Sequence, residues 1–124
     1  MVLVDTNIWI QLYQKKGSPI GEILWALVAK NEAAVCGQTW VEFLGGFRKE
    51  EERKHFEKSF RAFPFLETTQ EAFQRASDLL AKYPRLGSGD AIIAATAITT
   101  ESSLMTFDKD FHPLTKEGLL LLEI

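Results

Sequence analysis

Apolar residues follow two alternating rhythms along this chain. Val2-Leu3-Val4 is a short β-branched-rich run that stops at Asp5-Thr6-Asn7, which are turn and cap residues, so a buried strand is predicted to enter a helix there. After Lys15-Lys16-Gly17, Ser18-Pro19 supplies an N-cap followed by proline at the first helical position. Ile20, Ile23, Leu24, Leu27 and Val28 then recur at helical spacing. Ala33 to Cys36 reads as a second strand, and Thr39-Trp40-Val41-Glu42 opens a third helix that stops near Gly45-Gly46. From Glu50 to Phe63 mixed charges surround Phe56, Phe60 and Phe63, the pattern of a surface helix with one narrow apolar stripe. Phe65-Leu66 is a further short strand candidate. Thr68-Thr69-Gln70-Glu71 reads as a capping box, and Ala72, Phe73, Ala76, Leu79, Leu80 and Tyr83 continue it as an amphipathic helix up to Pro84. Ser88-Gly89-Asp90 starts a helix, running to about Thr100, that is small and apolar on nearly every side, as expected of an element packed closely on a sheet. Leu104-Met105-Thr106 and Leu119 to Leu122 complete the strands, separated by a turn-rich stretch from Asp108 to Gly118.

Strands thus alternate with helices, and their apolar runs are continuous. This predicts an α/β fold with a parallel sheet of about four to five strands covered on both faces. At 124 residues, with 46% apolar and 25% charged residues, the chain is expected to form one domain over residues 1–124. Its single cysteine, Cys36, excludes an internal disulfide framework and a multi-cysteine zinc site, and a reducing cytoplasm is the expected setting. The apolar start carries Asp5 and lacks a basic leader, so it is expected to be part of the fold, neither signal peptide nor membrane span.

The polar residues at element ends carry the chemistry. Of five aspartates, Asp5, Asp90, Asp108 and Asp110 stand where an apolar strand or helix stops or starts. In an open parallel sheet the ligand site lies outside the carboxyl ends of the strands. Asp5 and Asp108 follow strands and Asp90 opens a helix, so all three are predicted to meet at that edge. Each has a purely structural explanation as a cap, a dipole partner or a turn residue. Glu42 has one too, because Thr39-x-x-Glu42 matches a capping box, although Glu42 shares a helix face with Gly45 and Gly46, where another group can approach. Four independent caps need not meet in space, whereas Mg²⁺ or Mn²⁺ needs oxygen ligands of this kind. The net charge of −3 argues against a nucleic-acid partner at first sight. Setting aside Asp5, Glu42, Asp90, Asp108 and Asp110 leaves +2 for the rest of the chain.

Val2-Leu3-Val4-Asp5-Thr6-Asn7, Thr39-Trp40-Val41-Glu42, Gly89-Asp90-Ala91-Ile92-Ile93-Ala94-Ala95-Thr96-Ala97 and Thr106-Phe107-Asp108-Lys109-Asp110-Phe111 together resemble the four motifs of PIN domains, in order and spacing across essentially the whole chain. The VapC-like toxins of prokaryotic toxin–antitoxin pairs are the nearest likeness. The resemblance implies a three-layer α/β/α fold and a Mg²⁺- or Mn²⁺-dependent endoribonuclease acting on RNA. It implies Asp5, Glu42, Asp90 and Asp108 as the acids of the metal site, Asp110 as an alternative to Asp108, and Thr6, Asn7 and Thr106 as supporting polar residues. Glu42 is either a ligand or a general base. The resemblance also implies an antitoxin partner; of Phe47, Phe56, Phe60, Phe63, Trp25 and Trp40 most are expected in the core, and the remainder to form a groove for it or a homodimer face.

Other residues fit duller roles. His55 and His112 are too few and too far apart for a histidine zinc site, and Cys36 has no evident base beside it. The interleaved charges between Arg48 and Arg61 read as solvated helix pairs, while Arg48, Lys49 and Arg85, flanking the acidic motifs, are candidates for holding RNA phosphates. A phosphotransferase of the haloacid dehalogenase type would need a second acid where Asn7 stands. A receiver domain would need its phosphoacceptor after the third strand, where Glu67 is the nearby carboxylate. The remaining alternatives are a PIN-like binding module without activity and a housekeeping nuclease without an antitoxin.

Overall fold

The computed structural model describes residues 1–15 and 17–124; Lys16, in the turn read at Lys15 to Gly17, lies outside them. The elements follow in the order β1 (Val2–Val4), α1 (Thr6–Gln14), α2 (Pro19–Ala29), β2 (Ala33–Cys36), α3 (Gly37–Leu44), α4 (Glu50–Ala62), β3 (Phe65–Leu66), α5 (Gln70–Lys82), α6 (Ser88–Thr99), β4 (Ser103–Met105), a 3-10 segment (Lys109–Glu117) and β5 (Leu120–Leu121). All strand pairs are parallel, in the order β3-β2-β1-β4-β5. Leu3 pairs with Ala34 on one side and Leu104 on the other, so β1 is the central strand.

The period-two alternation of β1 divides the core. Leu3 faces a cluster built by α5, α6 and the 3-10 segment, with Leu79, Ile93, Phe111 and Leu114. Val2 and Val4 face the opposite cluster, where Ile8, Trp9, Leu24, Phe43 and Phe60 come from α1 to α4. The result is three layers, α/β/α, as the sequence predicts. α6 lies against the sheet through Ala91, Ala94, Ala95 and Ala97, all buried, because small side chains let its backbone approach. On the other face aromatic rings fill the space: Trp9 stacks on Phe63 at 5.4 Å and Phe43 on Phe60 at 5.4 Å.

Three local expectations are corrected. α3 begins at Gly37 rather than Thr39, with Cys36 as its cap. The Thr39 hydroxyl turns back on Cys36, accepting from its N–H and donating to its C=O, both at 3.0 Å, so Glu42 belongs to no capping box. α5 is capped by Thr69, whose hydroxyl accepts from Ala72 N–H, while the neighbouring Thr68 hydroxyl reaches Thr96 at 2.7 Å. The stretch read as turns after Asp108 is a 3-10 segment. It buries Phe111 and Leu114, three residues apart, and stops at Gly118 with φ of 99°. Among the described residues no helix is long and apolar enough to cross a membrane.

The chain fills one side of β1 with β2 and β3, then returns to the other side with β4 and β5. That reversal leaves the carboxyl ends of β1 and β4 adjacent, the place where open parallel sheets form a crevice.

Candidate active site

Asp5 is the first residue beyond β1 and the cap of α1. Its backbone N–H continues the sheet by donating to Met105 C=O at 2.9 Å. The carboxylate is only 5% exposed, and each oxygen already has a donor: Oδ1 accepts from Thr6 N–H at 2.8 Å, and Oδ2 from the Thr106 hydroxyl at 2.6 Å. Thr106 in turn accepts from the N–H of Asp108 at 3.0 Å and from Asn7 Nδ2 at 3.5 Å. One hydroxyl thereby fixes the Asp5 carboxylate, the start of the Asp108 turn and the Asn7 side chain relative to one another.

Glu42 enters from α3. Its Oε1 accepts from the Thr6 hydroxyl at 2.7 Å, so the residue after Asp5 orients the second acid. The room for it comes from α6 and not, as its own helix face implied, from Gly45 and Gly46. A Cβ on Gly89 would lie 2.9 Å from Glu42 Oε2 and 2.9 Å from Gln38 Nε2. Gln38 escaped the sequence reading because a lone glutamine in a helix carries no signal of its own. Its place beside Glu42 and Gly89 is a product of the α3–α6 packing.

Asp90 sits in the first turn of α6, half-buried, and Asp108 caps the 3-10 segment by accepting from Asp110 N–H at 2.9 Å. Their proximity is electrostatic as well as topological. Burial pushes the Asp90 carboxyl up to about 6 from 3.8, and the charges of Asp5, Asp108, Glu42 and Asp110 push in the same direction. Burial also raises Asp5, with Glu42 and Asp108 adding to it, against the opposing donors Thr106 and Thr6 N–H. Asp108 acts on both Asp5 and Asp90, whereas Asp110, which is exposed, is the weakest of the four charges acting on Asp90.

Among the described residues none of these five acids forms a salt bridge; the ion pairs join Arg53 and Arg61 to Glu50 and Glu57, and Arg75 and Lys82 to Glu117. An all-oxygen, uncompensated donor set is the chemistry that a hard divalent cation satisfies. Among the described residues no three His, Cys, Asp or Glu side chains are grouped tightly enough to hold an ion by themselves. An ion of the Mg²⁺ kind does not need three protein ligands, since it takes one or two carboxylates and fills its remaining positions with water and substrate oxygen.

Arg48 and Lys49 are exposed on the α3–α4 connection, and Arg85 is exposed on the α5–α6 connection. His55 and His112 are exposed, and Cys36 is buried with its thiol pushed up chiefly by burial, as befits a core residue.

The family model described as PIN domain matches residues 2–117 of the chain. Ribonuclease VapC10 of Mycobacterium tuberculosis is 28% identical over 125 residues, covering 94% of this chain and 90% of its own. A chain of a toxin–antitoxin complex from Klebsiella pneumoniae superposes with a TM-score of 0.77 at 30% identity, each chain being covered completely. VapBC2 from Rickettsia felis, solved with a DNA fragment from its promoter, shares the fold with a TM-score of 0.81 at 20% identity and 98% coverage of both chains.

Proposed function

The chain belongs to the PIN domain family, and on that footing we propose that it is a metal-dependent endoribonuclease, the toxin of a toxin–antitoxin pair. The observation that carries the reading is the convergence of Asp5, Glu42, Asp90 and Asp108 at the carboxyl ends of β1 and β4 without a cationic partner among the described residues. Asp5, Asp90 and Asp108 would supply the carboxylates for Mg²⁺ or Mn²⁺, one or two to an ion, with water completing its shell. When bound, the ion supplies Lewis acidity toward a phosphate and lowers the pKa of water.

The chain's own residues do the positioning. The Thr106 hydroxyl and Thr6 N–H hold Asp5 in one orientation, each taking one lone pair of a different carboxylate oxygen and leaving the others to a cation. Thr6 anchors Glu42 through Oε1 and leaves Oε2, against Gly89, to take a proton from the attacking water. Asp90, with its carboxyl near 6, is largely ionised at neutral pH and fully so once a cation offsets its neighbours.

The Klebsiella pneumoniae relative is a toxin–antitoxin complex and the Mycobacterium tuberculosis one a ribonuclease, which supports both halves of the reading. So does a cleft of about 670 Å³ lined by Leu12, Tyr13, Trp25 and Phe56, with Glu51 and Glu52 among its walls. Trp25 there is 52% exposed. An apolar segment of an antitoxin with basic flanks suits that surface, and an arginine reaching from it would pair with the site acids.

The decisive experiment is incubation of the purified protein with total cellular RNA, with Mg²⁺, Mn²⁺ or EDTA, followed by mapping of the cut ends. Discrete cuts with either ion and none with EDTA are expected; cleavage that EDTA leaves untouched would remove the metal from the mechanism. Gly89→Ala provides a finer check. Helical alanine is well tolerated, and the clash falls on flexible side-chain ends, so stability should change by less than about 1 kcal/mol. Displacing Glu42 should nevertheless lower cleavage by about 10-fold to 100-fold. Unimpaired cleavage by this variant would show that the placement of Glu42 is immaterial.

A further inference from the structure

A cleft of about 560 Å³ lies beside the acidic cluster. One wall is the α5–α6 connection, with Tyr83, Pro84 and Arg85; the other is the 3-10 segment, with Lys109, Asp110 and Pro113. Asp110 joins the cleft to the acids, because its N–H donates to Asp108 Oδ1 and its charge is felt at Asp90.

The cleft is built and charged in a particular way. Tyr83 donates its hydroxyl to Glu117 Oε1 at 3.2 Å, the same oxygen that accepts from Lys82 at 2.5 Å, so the ring is held in place as a wall. Glu117 thereby neutralises Lys82. Arg85 and Lys109 have no carboxylate at salt-bridge distance among the described residues, and both line the cleft. Three other cavities lack this character. The aromatic cleft carries Glu51 and Glu52, the depression around Phe73 carries Glu71, and the cavity along β5 is lined by leucines with Glu123; none is lined by Lys or Arg.

Two cations without a salt-bridge partner share this cleft with two prolines and with the Tyr83 ring, which Lys82 Nζ overlies at 5.9 Å from its centroid; within the volume of a small-ligand pocket, they match the chemistry of single-stranded RNA. Its phosphates take cations, and its bases stack on aromatic faces. We propose that this cleft is the nucleotide subsite for the RNA strand beside the scissile bond, with Arg85 and Lys109 holding phosphate and Tyr83 supporting a base. The proposal rests on the ribonuclease reading and assigns the strand to the α5–α6 side of the acids rather than to Arg48 and Lys49.

The test uses the full chain carrying Asp90→Asn, so that RNA is bound without being consumed, and a single-stranded RNA oligonucleotide followed by fluorescence anisotropy across a salt series. Adding Arg85→Gln with Lys109→Gln should weaken binding about tenfold or more and lower the salt slope by about 1.4, the value for two single-strand phosphate contacts. Tyr83→Leu, which keeps apolar bulk, should weaken binding at least about fivefold and, in the otherwise native enzyme, change the bases found next to the cuts. Unchanged affinity and slope in the Arg85/Lys109 variant overturn the proposal, as does an equal loss from Arg48→Gln with Lys49→Gln alone. A protein that binds RNA through Arg85 and Lys109 yet cuts nothing with either metal would keep the cleft and discard the nuclease. Cleavage with unaltered affinity in the double variant would do the reverse.

Discussion

Asp5→Asn and Asp90→Asn proteins are each expected to cut RNA at least about 10³-fold more slowly than the native chain, a loss of about 4 kcal/mol of transition-state stabilisation. Both should remain folded. At position 5 an asparagine still offers Oδ1 to Thr6 N–H, and the backbone bond from residue 5 N–H to Met105 C=O is untouched, so the cap and the link to β4 survive. The substitution also relieves a buried charge that burial and two neighbouring acids make costly. Circular dichroism separates loss of activity from loss of fold, and expression in cells gives an independent readout: growth arrest by the native chain, absent for Asp5→Asn. Full cleavage by purified, folded Asp5→Asn would end the assignment of this site.

The second large effect concerns stability without metal. Asp90 has a folded-state carboxyl near 6 against 3.8 when unfolded. The folded protein therefore binds this proton more tightly than the unfolded chain does. Its contribution favours folding below pH 3.8 and is lost as pH rises through about 6. The full difference corresponds to about 3 kcal/mol. Solvent screening at a half-buried side chain, and the favourable place of an acid in the first turn of α6, reduce this to about 1–2 kcal/mol. Asp90→Asn should accordingly melt about 3–8 °C higher than the native chain at pH 7.5 in EDTA, with the gap closing toward pH 4. Comparing the two proteins at each pH cancels carboxylates such as Glu50 and Glu117, which are lowered by cationic partners and act in the opposite direction. Mn²⁺ or Mg²⁺ should then raise the melting point of the native chain and leave that of the variant nearly unmoved. A variant less stable than the native chain at pH 7.5 would show that the acids do not strain the metal-free site.

The sheet was readable because its signals are local. Val2 to Val4 is an unbroken apolar run ending at Asp5, and Asp90 opens a small, apolar helix, both of them places to which the fold class itself directs attention. Errors arose where a short motif had two physical solutions. Thr39 and Glu42 have the spacing of a capping box, yet the Thr39 hydroxyl bonds the Cys36 backbone and frees Glu42 for Thr6. The 3-10 segment hid behind Pro113 and only two buried apolar residues. Gly89 and Gln38 were beyond reach for a different reason. Their meeting with Glu42 belongs to helix packing, as the basic cleft belongs to two connections far apart in sequence.

The Thr106 hydroxyl has one more implication. It ties an acid at the end of the central strand to the turn that follows the neighbouring strand, and Asp5 N–H bonds Met105 C=O beside it. Asp5 cannot swing away while β1 and β4 stay paired. This half of the site has no flexibility separate from the middle of the sheet, the last part of such a domain to open. Among the described residues Glu42, on an exposed stretch of α3, has no such tether beyond the Thr6 hydroxyl. The acidic cluster thus combines a firmly tied jaw with a loosely tied one, and under the proposed ribonuclease function a change in shape on meeting RNA or a partner protein is expected on the α3 side.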